Sequence, residues 1–113
     1  MPTIFNKIIN REIKTDIIYE DDISIAFNDI NPQAPVHILV IPKKEIATIN
    51  DLCNDDKAVI GNLFIVAKNI AKKMNFDEDG YRIVFNCNDD AGQSVDHIHL
   101  HLLAGRKFKW PPG

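Results

Sequence analysis

The stretch that decides the reading of this chain is His97-Ile98-His99-Leu100-His101-Leu102-Leu103. Strict alternation is the period of a β-strand, on which residues i, i+2 and i+4 share one face. The sequence therefore predicts a strand over Val95 to Leu103, with His97, His99 and His101 on one side. Ile98, Leu100 and Leu102 take the other. The chain has four histidines, and three of them fall here. A strand that merely filled a core would gain little from three adjacent imidazoles, because each buried ring nitrogen needs a partner. The spacing points to chemistry on an anion, a metal or a proton.

The residues just upstream sharpen that choice. In Ala91-Gly92-Gln93-Ser94-Val95-Asp96, Gly92 permits a tight backbone turn, and Gln93 and Ser94 bring neutral hydrogen-bond donors. Such a loop feeding into imidazoles suits a phosphate, whose charge is spread over several oxygens.

Working outward, the pattern predicts an antiparallel α+β domain. A short helix covers Thr3 to Arg11, with Ile4, Phe5, Ile8 and Ile9 at helical spacing and Thr3 as N-cap. Strands follow at Ile17–Tyr19, Ile23–Phe27 and Val36–Ile41, the last an almost continuous apolar run that reads as central. Asn28 to Pro35 is a loop, Pro42 ends the central strand, and Ile46 to Leu52 reads as a short helix. A long helix spans Asp55 to Asn75, with acids at its start and Lys72 and Lys73 at its end. A strand at Tyr81–Phe85 and a polar loop from Asn86 to Gln93 complete the path to the histidines. The apolar positions of the long helix, Val59, Ile60, Leu63, Phe64, Val66, Ala67, Ile70, Ala71 and Met74, cover an arc of roughly 160°. That exceeds what covering one sheet needs, so part of the face is expected to meet a second copy of the chain.

Composition bounds the rest. At 113 residues the chain is read as one domain, residues 1–113, with one modest core. A net charge of −3 offers no general attraction for nucleic acid, so an anion must be held by a local site. No stretch is long and apolar enough to cross a membrane, and the first residues lack a secretory apolar run. The expected location is cytoplasmic, with the nucleus also open in a eukaryotic cell. Cys53 and Cys87 form no close metal motif and are read as free buried thiols.

The run Gly92-Gln93-Ser94-Val95-x-His97-x-His99-x-His101 closely resembles the signature of the histidine-triad superfamily. The resemblance extends to Asp29-Ile30-x-Pro32-Gln33-Ala34-Pro35-x-His37-x-Leu39-Val40-Ile41-Pro42-Lys43 and to Trp110-Pro111-Pro112-Gly113, covering essentially the whole chain. Together these segments look like the branch of histidine-triad nucleotide-binding proteins that act as purine nucleoside phosphoramidases. The resemblance implies a homodimer whose two sheets join into one. It implies hydrolysis of P–N bonds in substrates such as AMP linked to an amine, with no cofactor and no metal. A purine nucleoside monophosphate-type small molecule is then the partner.

By the same resemblance, His99 is the nucleophile, forming a nucleotidyl-histidine intermediate that water hydrolyses. An imidazole suits this role, being largely unprotonated near neutral pH. His101 is assigned general acid/base or electrostatic support, His97 an orienting role, and His37 the fixing of tautomers within the cluster. Asp29 is matched to ribose, and Asn86, Gly92 and Ser94 to phosphate or leaving group. Phe5, Ile8, Phe27, Ile30 and Leu39 match the base pocket, and Trp110 is implied to pack at the partner subunit's active site. Asp96 departs from the bulky apolar or aromatic residue common at its position, and by alternation it faces away from the histidines.

Three rival readings stand beside this one. Three histidines at this spacing also suit an open zinc site. The same pocket also serves a non-catalytic nucleotide-binding or regulatory protein, or an enzyme that cleaves dinucleoside polyphosphates.

Overall fold

The computed structural model describes residues 2–113. One five-stranded antiparallel sheet organises them, in the order β1-β2-β3-β5-β4. The strands are β1 (Ile17–Glu20), β2 (Ser24–Asn28), β3 (Val36–Pro42), β4 (Arg82–Val84) and β5 (Leu100–Ala104). The first three form a meander, as the sequence predicts. The chain then crosses through helix α2 (Lys57–Lys73) to the far edge, and β5 returns between β4 and β3.

Alternation along the strands divides the apolar residues between two faces. Ala26, Ile38, Val40, Leu100, Leu102 and Ala104 pack with Leu63, Val66, Ala67, Ile70 and Ala71 of α2. On the opposite face Ile25, Phe27, Leu39 and Ile41 pack with Phe5 and Ile8 of helix α1 (Ile4–Ile9). Central strand β3 is thus covered on both sides, which explains its continuous apolar run. Helix α1 is short and begins in a capping box: the Thr3 hydroxyl accepts from the Asn6 N–H, and the Asn6 side chain accepts from the Thr3 N–H.

Several local expectations are corrected. The segment Ile46 to Leu52 holds only a 3-10 turn at Ile49–Asp51, and a second such turn, Asn54–Asp56, leads into α2. The polar loop contains one helical turn, α3 (Asn88–Ala91), closed by Gly92 at φ +81°. Both cysteines are free, but Cys53 is exposed and Cys87 half-buried, so neither is a buried thiol. Ala67 and Ala71 point into the chain's own core and are not available to a second copy. The outer flank of α2 instead exposes Phe64 and Ile65, at 44% and 53%.

The last strand starts later than its sequence pattern suggests. Val40 pairs with Leu100, so continued register would place Ile98 opposite Pro42. Proline has no N–H to give to a ladder. Residues Val95 to His99 therefore leave strand geometry, and the Ile98 N–H donates to the Ile46 carbonyl at 2.7 Å. Among the described residues no helix is long and apolar enough to cross a membrane.

Candidate active site

The four histidines gather on the α1 side of the sheet, with the rings of His37, His101 and His99 in successive contact. His37 on β3 and His101 on β5 lie with ring centroids 5.2 Å apart, and His101 and His99 with theirs 4.8 Å apart. Phe5 of α1 meets His99 and His97 edge-on at 5.1 and 5.9 Å. Beside them opens a cavity of about 540 Å³, within the range that holds a small ligand. Phe5, Ile8, Phe27 and Leu39 give it an apolar wall, and Asp29, Gly92, Ser94, His37, His99 and His101 bring polar groups to the same space. Ile30 also lines it, standing at the rim with 92% of its surface exposed.

Three expected site residues do not line this cavity, one of them, Trp110, being expected at the partner subunit's site. His97 is fully buried behind the cavity and does not line it. Asn86 is half-buried outside the cavity wall, and Trp110 is 83% exposed, away from the chain's own cavity. Gln93, read as a donor to phosphate, is instead spent on the loop. Its amide donates to the Ala47 and Val95 carbonyls at 2.7 and 3.0 Å and accepts from the Asn88 N–H at 2.9 Å. The main chain of Gln33, whose N–H reaches His37 Nδ1, was not legible in the sequence. No side-chain signature marks a backbone N–H.

Fixed partners assign a proton to each imidazole. The carbonyls of Pro42 and His97 can only accept, so His97 donates from Nε2 to Pro42 and His99 from Nδ1 to His97, each at 2.7 Å. The neutral His99 ring is then left with a bare lone pair on Nε2. The Gln33 N–H can only donate, and it reaches His37 Nδ1 at 3.0 Å. His37 therefore carries its proton on Nε2, which lies 2.9 Å from His101 Nδ1 and 3.4 Å from Asp29 Oδ2. His101 Nδ1 must accept, so its proton sits on Nε2. That nitrogen is buried and has no hydrogen-bond partner among the described residues. The cluster thus offers a lone pair on one ring, His99, and an N–H on the next, His101.

Burial favours the uncharged form of three of the rings, His37, His97 and His101. It pushes His101 down to about 4, with His99 and His37 reinforcing the shift and Asp29 opposing it. Burial also lowers His97, against the pull of the Pro42 carbonyl, and lowers His37, against that of Asp29. Asp29 is held in its own loop, where Oδ1 accepts from the Asn31 N–H at 2.8 Å. Its other oxygen faces His37 at the cavity edge.

Asp29, His37 and His101 bring one potential ligand atom each within 4.8 Å of one another. The tautomers oppose a metal there. Coordination by His37 Nε2 needs that nitrogen bare, which would put the ring's proton on Nδ1, against the Gln33 N–H.

Comparison with known proteins addresses the fold and the family. The HIT domain family matches residues 10–108. A purine nucleoside phosphoramidase of Escherichia coli is 52% identical over 104 residues, 92% of this chain and 87% of that protein. An uncharacterized HIT-like protein of Synechocystis is 50% identical over 98% of this chain and 96% of its own. Among solved structures, a HIT family hydrolase from Legionella pneumophila superposes with a TM-score of 0.96 at 52% identity, covering 99% of this chain and 100% of that one. A histidine triad protein from Clostridium difficile gives 0.90 at 45% identity, covering 94% and 92%. On its sequence and its fold, the chain belongs to the HIT domain family.

Proposed function

We propose that this protein is a hydrolase of purine nucleoside 5′-phosphoramidates, cleaving the P–N bond of AMP joined to an amine. The observation that carries the reading is the paired polarity of two adjacent rings: a bare Nε2 on His99 and a protonated, unpartnered Nε2 on His101, on two residues that line one cavity. In the first displacement His99 Nε2 attacks phosphorus and the P–N bond breaks. The amine leaves with a proton taken from solvent. The Nδ1–H bond to the His97 carbonyl stays in place and stabilises the positive charge that develops on the ring. In the second displacement water attacks phosphorus, the bond to His99 breaks, AMP departs and a proton returns to solvent.

His101 supports both steps without charge. Its Nε2–H is preorganised to donate to a phosphate oxygen as negative charge builds. A proton added at its Nδ1 would meet the Nε2–H of His37, which favours electrostatic support over proton transfer. Asp29 accepts from the ribose hydroxyls, and Phe5, Ile8, Phe27 and Leu39 enclose the purine. The phosphoramidase named among the relatives supports the choice of substrate class. Incubation with an AMP-amide and chromatographic detection of AMP and free amine tests the reading. Turnover of dinucleoside polyphosphates in its place, or no turnover of either, would reject it.

A further inference from the structure

Two residues with no role in the reaction as written connect the end of β5 to the imidazole pair. The Gln33 N–H holds His37 Nδ1 at 3.0 Å, and the Gln33 carbonyl accepts from the Arg106 guanidinium at 3.1 Å. That guanidinium lies 4.3 Å from the centre of the Phe108 ring, and Arg82 of β4 lies 5.2 Å from the same ring. A second clamp sits one residue earlier. Gly105 has φ +95°, and a Cβ there would stand 2.7 Å from the Pro35 Cβ. The loop before β3 is thus seated on Gly105 through Pro35 and tied to Arg106 through Gln33.

We propose that Arg106 is a positioning residue for the imidazole chain. By holding the Gln33 main chain it keeps His37 in the Nε2–H form, and so keeps the Nε2 proton of His101 available to phosphate. The logic is stepwise. Which nitrogen of a neutral imidazole carries the proton is set by the hydrogen bond made at the other. If the Gln33 N–H moves away, the constraint on His37 Nδ1 is lost, and the proton can settle there. His37 Nε2 then presents a lone pair to His101 Nδ1, which must carry the proton itself. His101 Nε2 in turn offers a lone pair to an anionic oxygen, where a donor is needed. One main-chain contact, set by a side chain outside the cavity wall, acts with the Asp29 carboxylate 3.4 Å from His37 Nε2 to decide whether the site attracts or repels phosphate.

The tautomer claim stands without any substrate, and only its effect on rate rests on the proposed reaction. The experiment is long-range ¹H–¹⁵N correlation on the full chain with ¹⁵N-labelled histidine, which reports which ring nitrogen bears the proton. Wild type should show Nε2–H for both His37 and His101. Arg106→Ala should move both rings toward Nδ1–H, and Arg106→Lys, which restores a donor, should recover the wild-type pattern in part. Gln33→Pro deletes the N–H directly and should reproduce the Arg106→Ala pattern, which keeps the test alive if one variant fails to fold. With an AMP-amide, kcat should fall about tenfold in Arg106→Ala, with KM changing less, since the donor acts on charge that develops in the transition state. Folded Arg106→Ala with wild-type ring nitrogens overturns the proposal, whatever Gln33→Pro does. Shifted nitrogens in a protein whose wild type hydrolyses no phosphoramidate would keep the positioning role and remove the reaction.

Discussion

His99 Nδ1 lies 2.7 Å from the carbonyl oxygen of His97, two positions earlier in the chain. In a regular strand, carbonyls point sideways to the neighbouring strand, and a side chain stands off the sheet face. The contact exists because residues Val95 to His99 are not a strand. Pro42 ends the ladder, its carbonyl is taken by the His97 ring, and the freed His97 carbonyl turns to His99.

That geometry makes His99 the residue whose loss costs most. His99→Ala should lower kcat by about three orders of magnitude or more, since removing a nucleophile abolishes the covalent path. Rapid quench of wild type at high pH, followed by mass analysis, should find a nucleotidyl adduct on the peptide bearing His97, His99 and His101. Near-normal kcat in His99→Ala with no adduct in wild type would mean direct attack by water.

Asp29 meets two partners. Its Oδ1 is engaged by the Asn31 N–H, and its Oδ2 lies 3.4 Å from His37. Asp29→Ala should narrow the preference for ribonucleotide over deoxyribonucleotide substrates. A charge-assisted hydrogen bond contributes about 1.5–3 kcal/mol, so a change of roughly 10- to 100-fold in the ratio of kcat/KM is expected. An unchanged ratio would leave Asp29 as a loop acid that only orients His37.

Stability should fall in acid through the histidines. His101 is held down to about 4 in the folded protein, and His37 and His97 are also lowered. An unfolded chain, with imidazoles near the ordinary value of about 6.5, binds more protons in this range. The stability is therefore present above about pH 6.5 and is lost as pH falls toward 4, with His101 alone accounting for at most about 3 kcal/mol. Urea titrations at stepped pH read this directly. His101→Asn should flatten the slope, and an unchanged slope would show that carboxylates dominate it.

The sequence pattern was most legible where one residue type fixes one geometry. Alternation placed Ile98, Leu100 and Leu102 in the core, and the prolines of the 28–35 loop marked the entry to β3. The start of β5 was hidden because its limit lies in Pro42, on the partner strand, not in its own residues. Gln93 misled because an amide suits a loop carbonyl as well as a phosphate, and only the fold brings Ala47 within reach. The tautomer chain was invisible for the same reason. Its first link is the Gln33 backbone, and its main joint spans 64 positions between His37 and His101.

The outer flank of α2 carries the last prediction, that two copies associate there. Leu63, Val66, Ala67, Ile70 and Ala71 face the sheet, which leaves Phe64 and Ile65 exposed on the other side. Phe64 packs on Phe85, just beyond β4, with ring centres 5.8 Å apart. The exposed apolar strip thus runs from the helix to an edge strand whose outer backbone groups lack a partner strand among the described residues. Exposed edges and contiguous apolar patches are both features that proteins cover. A second copy laid α2 to α2 and β4 to β4 would cover the two together and make one continuous sheet. Phe64→Lys combined with Ile65→Lys should convert a dimer to a monomer in light scattering at micromolar concentration. The monomer should keep its far-UV circular dichroism, because neither side chain belongs to the buried core. Leu63→Ala, on the inner side, should instead cost about 2–5 kcal/mol of folding stability. The exposed Trp110 gives an independent reading. If its indole is covered by the partner, its fluorescence should shift to the red in the double Lys variant. A wild type that is monomeric at these concentrations would dismiss the interface and leave Trp110 a solvent-exposed tail residue.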